Sequence, residues 1–389
     1  MPAPFSQTVI AVVWDFDKTL IPGNMQSPLF RHYGIDEAAF WDEVDGLHRF
    51  YVEHGARRVA DDALYLNHIL EYVRAGAFEG LSNALLHDLG AELTFHPGMP
   101  EFLATLKASV EEDSVFERAD ITLEHYVVST GLRPMIEGSA VRPYIEDVWA
   151  CEFIEAHHPP GYAKPQQRQL FGRSEITALG YQIDNTSKTR ALFEINKGTN
   201  KHPEIHVNSH LPAEMRRVPF EHMLYVADGP SDVPAWSVVR ANGGLAFGVY
   251  QRGSVAQFEQ ISALLRDGRI HAFAEADYTP DSTAHLWLTT EVRRIAERIV
   301  EERAIALRRA VRAAPRHIGE VAPPATAPTG APMEGQLPVA DPGSGQAPKT
   351  ATDRVAVDAL RDRVRRQLAS VDDPMTDRQV DRPIGIEER

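Results

Sequence analysis

The first strand-like segment of this sequence ends in two aspartates separated by one residue. Residues 9–14 read Val-Ile-Ala-Val-Val-Trp, and Asp15 and Asp17 follow them. A short run that is apolar on every position and rich in β-branched residues is typical of a central strand in a parallel sheet, which helices cover on both faces. Open α/β sheets bind ligands at the carboxyl ends of their strands, so the acidic pair marks the predicted site.

Later segments repeat this pattern of an apolar strand followed by a turn. Residues 125–128 lead into Ser129-Thr130-Gly131, residues 223–227 lead into Asp228, and residues 244–250 form a fourth strand-like run. Helical segments separate them, and strands that alternate with helices predict a parallel sheet. Between residues 148 and 181, short strand-like pieces and turns indicate a small β-hairpin. We therefore predict an α/β protein with a Rossmann-like parallel sheet.

The segment that follows the first strand is predicted to be an all-helical insertion. Pro22-Gly23-Asn24 breaks the strand pattern, and residues 58–75 place apolar side chains at steps of three and four, as on one face of an amphipathic helix. We predict a core domain made of residues 1–22 and 94–288 and a helical cap domain made of residues 23–93.

The carboxyl-terminal part changes in composition. A charged helix is predicted for residues 289–313, and residues 314–352 are rich in Pro, Ala and Gly with few large apolar side chains, which predicts a disordered linker. Residues 353–389 form a tail in which apolar residues recur at helical spacing. A short helix of this kind is marginal alone, so a protein partner of the tail is one expectation.

Composition narrows the function classes. The 389 residues carry a formal net charge of -15, which argues against a nucleic-acid partner. No run approaches the roughly 20 apolar residues that span a bilayer, and the amino terminus lacks the pattern of a signal peptide. The single cysteine, Cys151, cannot form an internal disulfide. A cytoplasmic protein without membrane contact is the expectation.

Four short motifs together resemble the signature of the haloacid dehalogenase (HAD) superfamily, in the order that this family shows. They are Asp15-Phe16-Asp17-Lys18-Thr19, Ser129 in Val-Val-Ser-Thr-Gly, Lys188 at a predicted helix start, and Asp228-Gly229-Pro230-Ser231-Asp232. The helical insertion after motif one is similar to the C1 cap of the phosphoserine phosphatase branch. Motif two reads Ser-Thr-Gly here, where that branch has Ser-Gly-Gly. The resemblance implies a phosphatase of small phosphorylated metabolites.

The chemistry of phosphoryl transfer assigns roles to these residues. It needs an in-line nucleophile, positive charge near the phosphoryl oxygens and a proton for the leaving group. Asp15 is the expected nucleophile, which would form an aspartyl-phosphate, and Asp17 the general acid and base. Lys188, with the Ser129 hydroxyl and the backbone N–H groups of Thr130 and Gly131, is expected to bind the phosphoryl group. These are expectations that the resemblance implies.

A magnesium ion is the expected cofactor. Asp15, Asp228 and an anionic substrate would repel one another without a cation between them, and Mg²⁺ prefers carboxylate oxygens, waters and phosphate. The expected metal residues are Asp15, Asp17 through its backbone carbonyl, Asp228 and Asp232, of which Asp232 would order the water shell.

Several alternatives remain open at this point. Lys197 and Lys201 compete with Lys188 for the cationic role, and the aspartates and Ser129 also suit ordinary turns and helix caps. Aromatic side chains of the insertion, Tyr65 among them, are most simply its core. The chain could also be a phosphotransferase of the same fold, or a non-catalytic scaffold that binds a partner through its tail. The acidic set argues against a scaffold, since nothing but catalysis would keep repelling carboxylates together. The histidines 202, 206 and 210 have a metal-like spacing, but nearby prolines predict a loop.

Overall fold

Seven strands form one sheet at the centre of this computed structural model, which describes residues 6–155 and 175–310. The sheet order is β4-β3-β2-β1-β5-β6-β7. Six strands are mutually parallel, and only β4 runs antiparallel to its neighbour β3. The predicted α/β class with a mostly parallel sheet is therefore confirmed. The strands are β1 Val9–Trp14, β2 Thr122–Leu132, β3 Ile145–Glu155, β4 Ile176–Tyr181, β5 Met223–Ala227, β6 Leu245–Tyr250 and β7 Ala272–Glu275.

Strand β1, which the two aspartates of motif one follow, lies in the middle of the sheet. Residues 10–14 are fully buried, which is the environment that their unbroken apolar pattern predicted. β1 pairs in parallel with β2 on one side and with β5 on the other, so that Val13 is level with both Tyr126 and Tyr225. Because all three strands point the same way, their carboxyl ends meet at one edge of the sheet.

Helices cover the sheet and make up the segment after β1. Within residues 23–93 the structure has four helices and no named strand, in agreement with the predicted helical insertion. The helices of the described residues are α1 Ser27–Tyr33, α2 Glu37–Glu53, α3 Asp61–Arg74, α4 Asn83–Gly90, α5 Glu101–Glu111, α6 Ser114–Glu117, α7 Arg133–Glu137, α8 Ser187–Lys197, α9 Val233–Ala241, α10 Val255–Arg266 and α11 Thr283–Ala310. None of them is long and apolar enough to cross a membrane.

The predicted hairpin is present as the antiparallel pair β3 and β4, and it is hydrogen-bonded to the helical insertion. Phe153 is level with Leu179 in the antiparallel pair. The Ile176 N–H donates to the Leu81 carbonyl oxygen at 2.8 Å, and the Asn83 side chain donates to the Phe153 carbonyl oxygen at 2.8 Å. The start of α4 is therefore hydrogen-bonded to both strands of the hairpin.

Two elements differ from the sequence-based expectations. The edge strand β7 was not predicted, because four residues are too short for a clear pattern. α11 begins at Thr283, six residues before the predicted start at residue 289. At this earlier start the Ser282 hydroxyl accepts the His285 N–H. The predicted linker at 314–352, the tail at 353–389 and the last residues of the predicted 289–313 helix lie outside the described residues.

Candidate active site

The chain leaves strand geometry immediately after Asp15. The Asp15 N–H still donates to the Val226 carbonyl oxygen of β5 at 2.9 Å, and the next residues then turn. Lys18 has a φ of 58°, in the left-handed region, and Leu20 N–H donates back to the Phe16 carbonyl oxygen. Asp17 therefore lies in a turn and not on the strand that carries Asp15 to the edge of the sheet.

Asp17 is held by the end of the same turn. Its Oδ1 accepts the backbone N–H of Met25 at 3.0 Å. Burial raises the pKa of Asp17 to about 7, although the Met25 hydrogen bond and the Lys18 charge oppose the shift. A carboxyl group with this pKa is protonated or ionised in similar amounts near neutral pH, which suits a group that both gives and takes protons.

Lys188 joins two aspartates at the centre of the site. Its Nζ lies 2.9 Å from Asp15 Oδ1 and 2.6 Å from Asp232 Oδ1, and all three side chains are buried. Burial alone would lower the pKa of Lys188, but Asp15 and Asp232 together raise it, so the ammonium stays charged. Lys188 is the second residue of α8, where the sequence placed it.

The two alternative lysines lie elsewhere. Lys197 donates to the carbonyl oxygens of Val207 and Ser209, and Lys201 pairs with Glu146. Of these three lysines, Lys188 is therefore the one that binds Asp15.

Asp232 is fixed by neighbours that the sequence did not indicate. Tyr225 donates its hydroxyl to Asp232 Oδ1 at 2.7 Å, and Ser231 donates to Oδ2 at 2.9 Å. With Lys188, this gives the fully buried Asp232 three hydrogen bonds. Tyr225 lies in β5, three residues before Asp228, and reads in the sequence as an ordinary core aromatic. In this structure Asp232 binds Lys188 and holds its ammonium group in place.

Three carboxylates surround this single ammonium. One oxygen from each of Asp15, Asp228 and Asp232 lies within 4.8 Å of the others. Burial raises the pKa of Asp15 well above its usual value. The charge of Lys188 opposes this shift, and repulsion from Asp232 and Asp228 adds to it. Burial and repulsion from Asp232 raise the pKa of Asp228 to about 6. The excess of negative charge and the all-oxygen donor set fit a hard divalent cation such as Mg²⁺.

The residues of motif two lie in the last part of β2, where its pairing with β3 shifts register between Val128 and Leu132, and not in a turn after the strand as the sequence predicted. The Ser129 hydroxyl, which is buried, accepts the Gly131 N–H at 3.0 Å, and the Leu132 N–H points to the Met25 sulfur at 3.0 Å. A Cβ atom on Gly131 would lie 2.1 Å from the Met25 methyl carbon, so a larger residue there would require the Met25 side chain to move. Met25 thus contacts motif one and motif two at once, a role that its sequence position does not show.

Tyr65 belongs to the core of the insertion, as expected, but it also reaches motif two. Its ring lies 5.8 Å from that of Trp41, and its hydroxyl donates to the Thr130 carbonyl oxygen at 2.6 Å. No sequence pattern indicates this contact, since an aromatic residue in a helix normally belongs to the core. α3 therefore supplies a side chain to the edge of the site.

The three histidines with a metal-like spacing do not share the face of a helix. Residues 202, 206 and 210 are in turns and loops, as the nearby prolines predicted.

Comparisons with known proteins found a relative and similar folds. No family model matches the chain. An uncharacterized protein of Borreliella burgdorferi is 36% identical over 291 residues, which cover 74% of this chain and 97% of that protein. A HAD family hydrolase from Salmonella enterica serovar Typhi matches 74% of this chain and 72% of its own, at 13% identity and a TM-score of 0.44. A probable phosphoserine phosphatase from Vibrio cholerae matches 76% of this chain and 68% of its own, at 11% identity and a TM-score of 0.42.

Proposed function

The chain belongs to the same protein family as the Borreliella burgdorferi protein, and from this and its mostly parallel sheet we propose that it is a Mg²⁺-dependent phosphatase of the HAD superfamily. Its substrate is a small phosphomonoester, and Asp15 forms an aspartyl-phosphate. The observation that supports this most strongly is the buried Lys188, which is bound to Asp15 and Asp232 beside a third carboxylate, Asp228. Such a site attracts a cation and a phosphoryl group together.

The proposed mechanism divides the work between the two aspartates of motif one. Asp15 attacks phosphorus, and Lys188 neutralises both the carboxylate and the phosphoryl oxygens. Asp17, whose Oδ1 accepts the Met25 N–H, protonates the departing alcohol and then accepts a proton from the attacking water. The Ser129 hydroxyl and the N–H groups of Thr130 and Gly131 bind the remaining phosphoryl oxygens, for which the Gly131 N–H would leave the Ser129 hydroxyl oxygen that it binds in this structure.

The cation site is proposed from the carboxylates that repel one another. Asp15, Asp228 and the backbone carbonyl of Asp17 would hold Mg²⁺, and Asp232 would order its waters while it anchors Lys188. Bound Mg²⁺ supplies charge that stabilises the phosphoryl oxygens in the transition state. Residues 23–93 are proposed to act as a cap that excludes water from the first step.

Turnover is tested by measuring Mg²⁺-dependent release of inorganic phosphate from a panel of phosphomonoesters. We expect release that requires Mg²⁺ and yields one phosphate for each alcohol. Hydrolysis of no ester would contradict the proposed phosphatase. Release of alcohol in excess of phosphate when a second alcohol is added would instead identify a phosphotransferase.

Asp228→Asn is expected to raise the free energy of unfolding relative to the wild type without Mg²⁺ and to lower it relative to the wild type with Mg²⁺. Without the cation the variant should be the more stable protein at pH 7.5, because it removes one of the repelling carboxylates. Added Mg²⁺ should raise the free energy of unfolding of the wild type by about 2.7 kcal/mol at 100 times the Kd, and with it the unfolding temperature, and should have little effect on the variant. Thermal unfolding with EDTA and with Mg²⁺ measures both effects.

Asp120→Asn is the matched control for this experiment. Asp120 is exposed and has a φ of 53°, which asparagine adopts readily. The control should respond to Mg²⁺ like the wild type. An undiminished Mg²⁺ response in Asp228→Asn would exclude Asp228 as a ligand.

The raised pKa of Asp17 predicts a pH-dependent stability in the absence of metal. The folded state keeps the proton up to about pH 7, whereas an unfolded aspartate loses it near pH 3.9. The folded state therefore binds more protons in this window, and its stability falls as pH rises, by at most about 1.4 kcal/mol per pH unit.

Comparison with Asp17→Asn isolates this contribution. Buried His125 and His222, whose pKa values burial lowers to about 4, contribute the opposite slope in both proteins, so they cancel in the difference. Urea unfolding in EDTA between pH 4.5 and 7.5 should show the wild type losing stability relative to the variant as pH rises. A difference that is constant with pH would contradict the prediction.

A further inference from the structure

A polar contact surface joins α3 to the motif-two residues in the last part of β2. The Tyr65 hydroxyl donates to the Thr130 carbonyl oxygen at 2.6 Å, and the Gln26 side chain lies near the same hydroxyl, where it opposes the rise that burial causes in the pKa of Tyr65. Gln26 directly follows Met25, whose N–H binds Asp17. Gln26 and Tyr65 therefore lie close to Asp17, the proposed general acid, whose charge also acts on Tyr65.

A second contact joins α3 to the loop before Lys188. Asp62 lies in the first turn of α3, and its Oδ2 accepts the Asn185 N–H at 3.5 Å. The Asp62 charge also acts on Tyr65 and on Cys151, since it helps burial to raise the pKa of both. Asp62 and Tyr65 lie three positions apart on α3 and therefore share one side of the helix, so Asp62 belongs to the same surface as Tyr65.

Two buried oxygens on this surface lack a donor. Gln26 Oε1 and Asn185 Oδ1 have no hydrogen-bond partner among the described residues, and Gln26 is only 2% exposed. An unpaired buried acceptor costs about 1–3 kcal/mol, so such atoms in a functional region call for a ligand that donates. Together with the Asp62 carboxylate, these are three acceptors, of which one is charged.

The nearest buried cation does not supply what they lack. Lys188 is bound to both Asp15 and Asp232, and the Tyr65 hydroxyl proton is used by Thr130. A ligand that carried a carboxylate or a second phosphate would add acceptors and negative charge to a surface that already has both. A ligand with an ammonium or hydroxyl group would satisfy it.

We propose that Gln26, Asp62 and Asn185 form the leaving-group subsite, which selects phosphomonoesters whose alcohol carries an ammonium or hydroxyl donor. This inference rests on the proposed phosphatase function, and it names the substrate class for the same site. Asp62 pairs with the cationic or hydroxyl end of the alcohol, and the two amide oxygens accept its remaining protons. Alcohols that end in a carboxylate are rejected by like charge.

The alternative is that Asp62 only positions the loop before Lys188. A positioning role predicts that Asp62→Asn changes the handling of all esters by the same factor. The subsite predicts a change in the preference between donor-bearing and acidic esters. The test must therefore measure a ratio for two esters rather than one rate.

Binding to a protein that cannot turn over provides the first measurement. Calorimetry on full-length Asp15→Asn with Mg²⁺ would compare phosphoethanolamine with phosphoglycolate, which share the phosphoryl end and differ in an ammonium against a carboxylate. We expect phosphoethanolamine to bind at least about tenfold more tightly, as a charge-assisted hydrogen bond implies. Adding Asp62→Asn should reduce this preference to less than about threefold.

Asp61→Asn is the matched control, since Asp61 is the preceding residue, is exposed and pairs with His48. In the Asp15→Asn background it should keep the full preference. Equal binding of the two esters, no binding of either, or a preference that survives Asp62→Asn would overturn the subsite.

Turnover by the wild type and by the two single variants separates the subsite from the reaction itself. If the wild type hydrolyses neither ester but the binding preference is present, the phosphatase proposal fails and the subsite stands. If the wild type hydrolyses both with equal kcat/KM, the phosphatase stands and the subsite fails. A wild-type preference that Asp62→Asn removes and Asp61→Asn retains supports both.

Discussion

Asp15→Asn is expected to reduce phosphate release at least about 10³-fold, because it removes the nucleophile and a neutral amide cannot replace it. The substitution keeps the side-chain size, so the loss should appear in kcat rather than in folding. Rates on several phosphomonoesters, together with urea unfolding of the same preparation, measure the two effects separately. Intact mass should confirm that the new asparagine has not deamidated to aspartate.

Asp17→Asn is the informative comparison, because the proposed roles of the two aspartates differ. Asp17 protonates the leaving alcohol, so its loss should matter less for an ester with an acidic leaving group such as p-nitrophenol. The loss in Asp15→Asn should be the same for good and poor leaving groups. Activity of Asp15→Asn above about a tenth of wild type, or an equal leaving-group dependence in the two variants, would contradict this assignment.

Lys188→Met is expected to lower the free energy of unfolding by about 3–5 kcal/mol in the absence of divalent cations. It leaves Asp15 and Asp232 buried without their shared ammonium, and an uncompensated buried charge is strongly destabilising. Urea unfolding at pH 7.5 in EDTA measures the loss. Phosphate release should fall as well, since the phosphoryl oxygens lose their cation.

The pH dependence of this loss follows from the same geometry. The pKa of Asp15 is already raised by burial, and loss of Lys188 raises it further. Asp15 then takes up a proton as pH falls, and a neutral carboxyl group costs less to bury than a carboxylate. The difference between variant and wild type should therefore shrink toward low pH.

Arg190→Met is the control, because Arg190 lies on the same helix, is exposed and makes an i,i+4 pair with Glu194. Exposed pairs of this kind contribute about 0.3–0.5 kcal/mol. A loss below about 1 kcal/mol for Lys188→Met would show that the buried network does not depend on the ammonium.

The interior of the sheet was predictable because its central strands have a clear apolar pattern within a few residues. Residues 9–14 contain no polar side chain, and they are buried between β2 and β5, as an unbroken apolar run predicts. β7 was missed because four residues give no period, and α11 starts earlier than its charged part suggested because Ser282 caps it. Local sequence therefore gave the long elements and left the short ones and the boundaries open.

Most of the motif residues were also predictable, since Asp15 and Asp228 directly follow β1 and β5, and Lys188 lies at the start of α8. Ser129 lies within β2, two residues past Val127, which pairs with the last residue of β1, and these three strands are neighbours in the sheet. That neighbourhood could be expected from parallel strands whose carboxyl ends share an edge.

What the sequence determined by itself was the order of the motifs and the sheet that carries them, because period and turn chemistry act over a few residues. The tertiary structure decided which distant groups meet. It placed Lys188 against Asp15 across 173 positions, and it sent Lys197 and Lys201 elsewhere. It also brought Met25, Tyr65 and Tyr225 to the site, whose side chains have no motif. Contacts of this kind depend on helix packing, and no local pattern encodes them.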